Sequence, residues 1–85
     1  MIIYCAFNII SNKAYVGYTR EPLFVRRNAH LKSANDESQY HFHKAIRKYG
    51  AHTFIWITLQ CCSSIEQLKH YEQEWIRELG SFANG

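Results

Sequence analysis

Three features of the sequence place reactive side chains where a purely structural pattern does not require them. Glu72 falls on the apolar stripe of a helical segment, and Arg26 and His30 lie four residues apart in another. Tyr4 and Tyr15 lie in two neighbouring strand-like runs. A carboxylate can bind a hard divalent cation, while a forked guanidinium beside a titratable imidazole can clamp a phosphate. These features are therefore the candidates for chemistry in this chain.

Glu72 interrupts the buried stripe of the last helical segment. Counted in helical steps, the stripe consists of Ile65, Leu68, Glu72, Trp75, Ile76 and Leu79. An ionised carboxylate on an inner helix face is costly unless it is paired or binds a metal. Two explanations fit the pattern: a glutamate at the edge of the stripe, partnered by an arginine or a tyrosine, or a ligand of a divalent cation.

Arg26 and His30 project from one side of a predicted helix, because four residues make about one helical turn. Arg27 points elsewhere. The pair is explained either by a solvated basic surface or by a clamp for phosphate.

The two tyrosines belong to a predicted β-hairpin. Ile2 to Asn8 and Ala14 to Thr19 are rich in β-branched and aromatic residues, and they flank a turn of four residues, 9 to 12. A pairing in which residue numbers add to 21 sets Tyr4 opposite Gly17 and makes Tyr15 its diagonal neighbour on the same side. A ring and a ligand could both approach the backbone at Gly17. Tyrosine is also simply favoured in strands.

Two helices are predicted after the hairpin. The first begins near Pro22 and runs to about residue 34, with Leu23, Phe24, Leu31 and Ala34 as its apolar stripe. The second begins near Ser38, buries Phe42, Ala45, Ile46 and Tyr49, and is closed by Gly50.

A third strand and a last helix complete the predicted elements. The run Thr53 to Gln60 is apolar at both alternating positions, which predicts an inner strand covered on both faces. Ser63 and Glu66 form a capping box for a helix that ends at Gly80. The order β-β-α-α-β-α predicts an α+β fold with a small antiparallel, three-stranded sheet flanked by helices.

Size and charge restrict the function further. A chain of 85 residues has room for one small domain, and 47% hydrophobic residues can build its core. The net charge of +3 is uneven, with +5 in residues 1–50 and −2 in residues 51–85. A basic half favours a polyanionic partner, although a solvated surface explains it equally well.

Cysteine usage and hydropathy indicate the compartment. Three cysteines, of which Cys61 and Cys62 are adjacent, fit no disulfide framework and indicate a reducing, cytoplasmic setting. No apolar run approaches the roughly 20 residues that a membrane span requires. Both cysteines of the adjacent pair are expected to be packed, whereas His41 and His43 are expected to be solvated on the second helix.

Five motifs resemble the GIY-YIG nuclease domain in their order and spacing. They are Ile2-Ile3-Tyr4, Tyr15-Val16-Gly17, Arg26-x-x-x-His30, Ala45-Ile46-Arg47-Lys48-Tyr49-Gly50 and Glu72-x-x-Trp75-Ile76. Each motif alone is weak, whereas five in order over nearly the whole chain are specific. The chain is most similar to the catalytic domains of phage and intron homing endonucleases. Residues 1–85 are therefore expected to form a single catalytic domain, or a fragment of a longer chain.

The resemblance implies hydrolysis of phosphodiester bonds in DNA with one divalent cation, Mg²⁺ or Mn²⁺, and without a small-molecule cofactor. It assigns water activation to Tyr4, its support to Tyr15, phosphate stabilisation to Arg26 and metal binding to Glu72, and it matches His30 to a histidine of the homing-type branch. The residues expected to bind the nucleic acid are Gly17, Arg27, Lys32, Lys44, Arg47 and Lys48. Because a phenol has a reference pKa near 10, Tyr4 would need positive charge nearby to act as a base, and Arg26 and the metal could provide it.

The sequence departs from the family pattern in three places. Ile2 stands where the first glycine is usual, Ser81 to Gly85 stand where a Tyr-Asn pair is common, and none of the 85 residues could serve as the separate DNA-binding region of a homing enzyme. The missing asparagine and recognition region make an alternative function credible beside the nuclease, a nucleic-acid-binding module that has the nuclease fold but little or no turnover. The target sequence, nicking or double-strand cleavage, and the oligomeric state stay open.

Overall fold

A computed structural model describes residues 1–35, 41–80 and 82–83 of the chain. The elements in chain order are β1 (Ile2–Asn8), β2 (Ala14–Thr19), α1 (Leu23–Asn35), α2 (His41–Tyr49), β3 (Phe54–Cys61), α3 (Ile65–Leu79) and β4 (Phe82–Ala83). A short 3₁₀ turn, Ala51–Thr53, precedes β3. The predicted α+β class and the order β-β-α-α-β-α are confirmed. The two-residue β4, parallel to β2, is an addition to the predicted three strands.

The hairpin has the predicted register. β1 pairs antiparallel with β2 so that Tyr4 lies opposite Gly17 and Ala6 lies opposite Tyr15. Asn8 organises the four-residue turn, because its Oδ1 accepts hydrogen bonds from the backbone amides of residues 10 and 11 at 2.9 and 2.8 Å. The hairpin thus fixes which side chains of β1 and β2 share a face.

The prediction that β3 is an inner strand is wrong. The strand order is β3-β1-β2-β4, so β1 is inner and β3 lies at an edge of the sheet formed by the described residues. Ile55 and Ile57 are 50% and 45% exposed. Helix α3 packs mainly against β1 and β2, so it leaves this part of β3 uncovered.

The pairing of β1 with β3 contains an irregularity beside Tyr4. Ile3 pairs with Gln60 but Tyr4 pairs with Thr58, which leaves Leu59 as an extra residue on β3. Such bulges often lie next to active sites, where they redirect a side chain.

Two separate apolar clusters cover the two sides of the sheet. The cluster on the side of α1 and α2, called the α1–α2 face, contains Ala6, Tyr15, Ala34, Phe42, Ala45, Ile46 and Phe54. The cluster on the opposite side, called the α3 face, contains Ile3, Val16, Cys62 and Leu68. Ile3 and Tyr4 are neighbours in β1 and point to opposite faces, as the alternation of a strand requires.

The helix boundaries agree with the sequence in part. Helix α3 is capped by Ser64, whose Oγ accepts a hydrogen bond from the Gln67 amide at 3.2 Å, so the cap predicted at Ser63 and Glu66 is wrong. Gly80 ends the helix in the left-handed conformation with φ 59°, as predicted. In α1, Phe24 is 62% exposed and does not belong to the buried stripe.

The second helix buries its predicted stripe, while its predicted start near Ser38 lies outside the described residues. In the part of the chain that the structure describes, no helix is long and apolar enough to cross a membrane. The described cysteines are free: Cys62 is buried as expected, whereas Cys61 is exposed, contrary to the prediction that it packs.

Candidate active site

Tyr4 begins a series of buried polar rings that are hydrogen-bonded to one another. It lies in the inner strand and is completely buried. Its hydroxyl is 2.7 Å from Nε2 of His30 on α1, and Nδ1 of His30 is 2.8 Å from Nε2 of His43 on α2. The hairpin, the first helix and the second helix each contribute one member to this series.

Two further aromatic rings hold the Tyr4–His30 pair in place. The Trp56 ring of β3 stacks on Tyr4 and on His30 with centroid distances of 6.0 Å in both cases. Phe42 packs against His30 at 4.8 Å with its ring at a steep angle. Aromatic contacts of this kind restrict ring rotation, so the hydrogen-bonding atoms of Tyr4 and His30 are held in register.

Arg26 joins the cluster from the turn of α1 that precedes His30. The residue is half-buried, and its guanidinium lies close enough to Tyr4 to lower the pKa of the phenol. The predicted pairing of Arg26 and His30 on one side of the helix is therefore a pairing around Tyr4.

Burial dominates the protonation of Tyr4. Loss of solvent raises the pKa of the phenol above its ordinary value, the nearby Arg26 lowers it, and the charge of Glu72 raises it again. Arg26 thus favours the phenolate, as expected, but burial outweighs it in the protein alone and the net shift of the pKa is upward. Tyr4 keeps its proton at neutral pH.

Both histidines are neutral at neutral pH. Burial, followed by the charges of Arg26 and His43, lowers the pKa of His30 to about 3. The pKa of His43 is also lowered, by burial and then by the charges of Arg26 and Arg47. The expectation that His43 is solvated is wrong, since its ring is buried against His30, and His41 lies outside the residues whose side chains are described.

Glu72 points into the protein, as predicted from its position on the stripe. It is 7% exposed, one helical turn after the fully buried Leu68. Its Oε2 is buried and has no hydrogen-bond partner among the described residues. Burial raises the pKa of the carboxyl group, and its charge is felt at Tyr4. The described residues therefore offer no hydrogen-bond partner for Oε2 of Glu72. A buried carboxylate oxygen without a partner is the main condition for Glu72 to be a ligand of a divalent cation.

The Glu72 carboxylate has the chemistry that a hard divalent cation requires of a ligand. A buried oxygen without a partner is a ready acceptor for a hard cation. Within the described ranges, no group of three or more His, Cys, Asp or Glu side chains could hold a metal. A cation at Glu72 would therefore take most of its ligands from water and phosphate, as Mg²⁺ commonly does.

Tyr15 and Gly17 lie beside this cluster. Tyr15 is buried on the same face as Tyr4, but its ring stacks on Phe42 at 4.9 Å and so lies one ring away from His30. Burial and the charge of Tyr49 raise the pKa of its phenol. Gly17 is the direct partner of Tyr4 across the hairpin, as predicted.

The predicted nucleic-acid-binding side chains lie on the surfaces of the first two helices, outside the buried cluster. These exposed residues are Arg27, Lys32, Lys44, Arg47 and Lys48. Arg47 also donates a hydrogen bond from Nη1 to the Ala34 carbonyl oxygen at 2.9 Å, which ties α2 to the end of α1.

Two members of the site were not found by sequence reasoning. Trp56 could be placed on β3 but not on the face of Tyr4, because the register of β1 with β3 was not deduced. His43 directly follows Phe42 and precedes Ile46 by three residues, so it borders the buried stripe of α2. That position was the available signal for burial.

Comparisons with known proteins agree with this architecture. The family model described as the GIY-YIG catalytic domain matches residues 1–85. The catalytic domain of the homing endonuclease I-TevI is similar in fold, with a TM-score of 0.80 and 22% sequence identity over 98% of this chain and 96% of that one. No curated protein matches the sequence.

Proposed function

This chain belongs to the GIY-YIG family, and we propose that it hydrolyses phosphodiester bonds in DNA as a metal-dependent endonuclease. The observation that supports the proposal most strongly is that Tyr4 contacts His30 and lies within the electrostatic reach of Arg26 and of the buried carboxylate of Glu72. They come from three different elements, and no packing requirement explains why polar groups should meet there.

Tyr4 and His30 activate the attacking water. The Tyr4 oxygen takes a proton from water while its own proton passes to Nε2 of His30, 2.7 Å away. This coupled transfer avoids a free phenolate, which burial disfavours. The water oxygen forms a bond to phosphorus, the bond from phosphorus to the leaving oxygen breaks, and the leaving oxygen takes up a proton from solvent. The negative charge of the phosphate offsets the transient positive charge of His30, which then returns its extra proton to solvent.

Arg26 and Glu72 position and stabilise the phosphate. Arg26 donates to the phosphate oxygens and to Tyr4, so it positions the scissile group against the water-activating phenol. Glu72 would hold the divalent cation, Mg²⁺ or Mn²⁺, through its buried carboxylate. When bound, such a cation offsets the negative charge that develops on the phosphate and leaving oxygens.

The surfaces of α1 and α2 hold the DNA. Their exposed basic side chains supply attraction to the phosphate backbone, which depends on salt and not on sequence. We place Arg27, Lys32, Lys44, Arg47 and Lys48 in this role, and Gly17 where the substrate approaches the backbone beside Tyr4.

Cleavage of supercoiled plasmid DNA with added Mg²⁺ or Mn²⁺, and with a chelator, tests the proposal. We expect nicked or linear product only with the metal. Glu72→Ala should reduce the rate by at least about 100-fold, since it removes the group that holds the cation, while DNA binding stays measurable. Glu74→Ala is the matched control, because Glu74 is an exposed residue of the same helix.

Two outcomes contradict the proposal. Persistent cleavage by Glu72→Ala would exclude Glu72 from the mechanism. Salt-dependent DNA binding without cleavage in any divalent cation would instead support a nucleic-acid-binding module.

A further inference from the structure

The hydrogen-bond direction between Tyr4 and His30 follows from the positive charge beside Tyr4 and from the proposed function. Arg26 lowers the pKa of the phenol, so its charge favours a lone pair of the Tyr4 oxygen on its side and turns the hydroxyl proton toward His30 Nε2 at 2.7 Å. The proposed transfer of that proton needs an unprotonated Nε2, which places the lone pair of His30 on Nε2.

The tautomers of both histidines then follow. His30 is neutral at neutral pH, so its single ring proton must be on Nδ1. That nitrogen is 2.8 Å from Nε2 of His43, which has to accept the bond. A neutral His43 consequently carries its own proton on Nδ1. Every bond in the series from Tyr4 to His30 to His43 runs in the same direction.

We propose that His43 is a positioning residue of this site, which holds His30 in the Nδ1–H tautomer and so keeps Nε2 available for the Tyr4 proton. Without His43, the buried Nδ1–H of His30 would have no acceptor at that position. The opposite tautomer, with a proton on Nε2, could not receive the proton of Tyr4. In many active sites, a carboxylate accepts a hydrogen bond from Nδ1–H of a catalytic histidine and so fixes its tautomer. Here the neutral imidazole of His43 would play the part of that carboxylate.

The surroundings of His43 suit an acceptor. The described charged and titratable groups that face it are Arg26 and His30 of α1 and Arg47 of its own helix. The two arginines disfavour a third positive charge, so His43 stays neutral and keeps a lone pair on Nε2. Its effect on cleavage rests on the proposed function, whereas the tautomer of His30 exists without DNA or metal.

Nitrogen NMR of the histidine rings tests the inference without an activity assay. In the unmodified chain at neutral pH, we expect His30 to show a protonated Nδ1 and an unprotonated Nε2. In His43→Phe, which keeps a ring of similar shape but removes the acceptor, the signals should move toward the Nε2–H form. A protonated Nε2 on His30 in the unmodified chain would overturn the inference even if the variant failed to fold.

Cleavage rates of two variants give the functional arm. We expect His43→Phe to lose about 10-fold to 100-fold in turnover, the usual effect of removing a residue that orients a catalytic histidine. His43→Gln should retain most of the rate, since an amide oxygen near the position of Nε2 can accept from His30. The reverse order, with phenylalanine the better substitute, would show that the site needs only a packed ring. Failure of the unmodified chain to cleave DNA would contradict the proposed function and leave the NMR result to decide the tautomer.

Discussion

The two faces of one small sheet do different work. The α1–α2 face is made largely of rings, and the polar atoms of Tyr4, His30 and His43 are hydrogen-bonded in series on it. The α3 face is largely aliphatic, with Ile3, Val16 and Leu68 at its centre. β1 belongs to both, because its alternate side chains point in opposite directions.

The comparison shows that alternate positions of β1 have different roles. One set of side chains builds the aliphatic core, and the other set supplies the polar groups of the candidate site. A shift of one residue would exchange Ile3 and Tyr4 and so place the phenol in an aliphatic core. Helix α3 is the exception to the division. It gives Leu68 to the α3 face and, one turn later, Glu72 to the electrostatic surroundings of Tyr4.

Tyr4→Phe should have the largest effect, and it tests whether the α1–α2 face supplies the chemistry. The substitution keeps the ring against Trp56 and His30 and deletes only the hydroxyl, so cleavage should fall by about 10²- to 10⁴-fold, the usual range for a group that transfers a proton. Tyr18→Phe is the control, because Tyr18 is exposed and lies on the other side of β2. Plasmid cleavage measures both, and unaltered turnover in Tyr4→Phe would make Tyr4 a structural residue.

Leu68→Ala probes the other face. Leu68 is buried against Ile3 and Val16, so its truncation leaves a cavity and should lower the free energy of unfolding by about 2–5 kcal/mol. Urea denaturation measures the loss, with exposed Leu79 of the same helix as the alanine control. At a temperature where the variant is folded, its cleavage rate should stay near the original. A large loss of turnover in folded protein would contradict the division between the faces.

The pH dependence of stability tests the buried histidines of the α1–α2 face. A histidine with a folded pKa of about 3 stays neutral while the unfolded chain takes up its proton near pH 6.5, so stability falls as the pH falls between these values. Buried His43 contributes with the same sign, whereas the raised pKa of Glu72 acts in the opposite direction. We expect a smaller loss than that caused by the Leu68 cavity. Urea midpoints of the unmodified chain and of His30→Gln between pH 7 and pH 4 measure it, and equal slopes would refute the role of His30.

Local patterns predicted the hairpin and the placement of Glu72 well. Every pair of β1 with β2 follows the predicted register, since a four-residue turn and the alternation of apolar residues leave little choice. Glu72 was recognised because it stands alone among apolar residues at helical spacing. Both signals are contained within one or two adjacent elements.

Errors arose where distant segments decide the environment. β3 was predicted to be inner because both of its alternating positions are apolar, yet Ile55 and Ile57 are exposed at an edge. Apolar composition does not by itself determine burial. The burial of His43 depends on His30, thirteen residues away on another helix, and its ring cannot be distinguished from a solvated one by its own segment.

The extra residue in β3, Leu59, reverses the alternation of side chains between the two faces of the sheet. Ahead of it, Trp56 lies on the side of Tyr4, whereas after it Gln60 lies on the side of α3 and accepts a hydrogen bond from Trp75 at 3.0 Å. A regular strand of the same length, without the bulge, would set Leu59 opposite Ile3 and turn Gln60 away from Trp75. The bulge therefore lets one strand supply Trp56 to the side of Tyr4 and Gln60 to the side of α3, although an even number of positions separates the two residues.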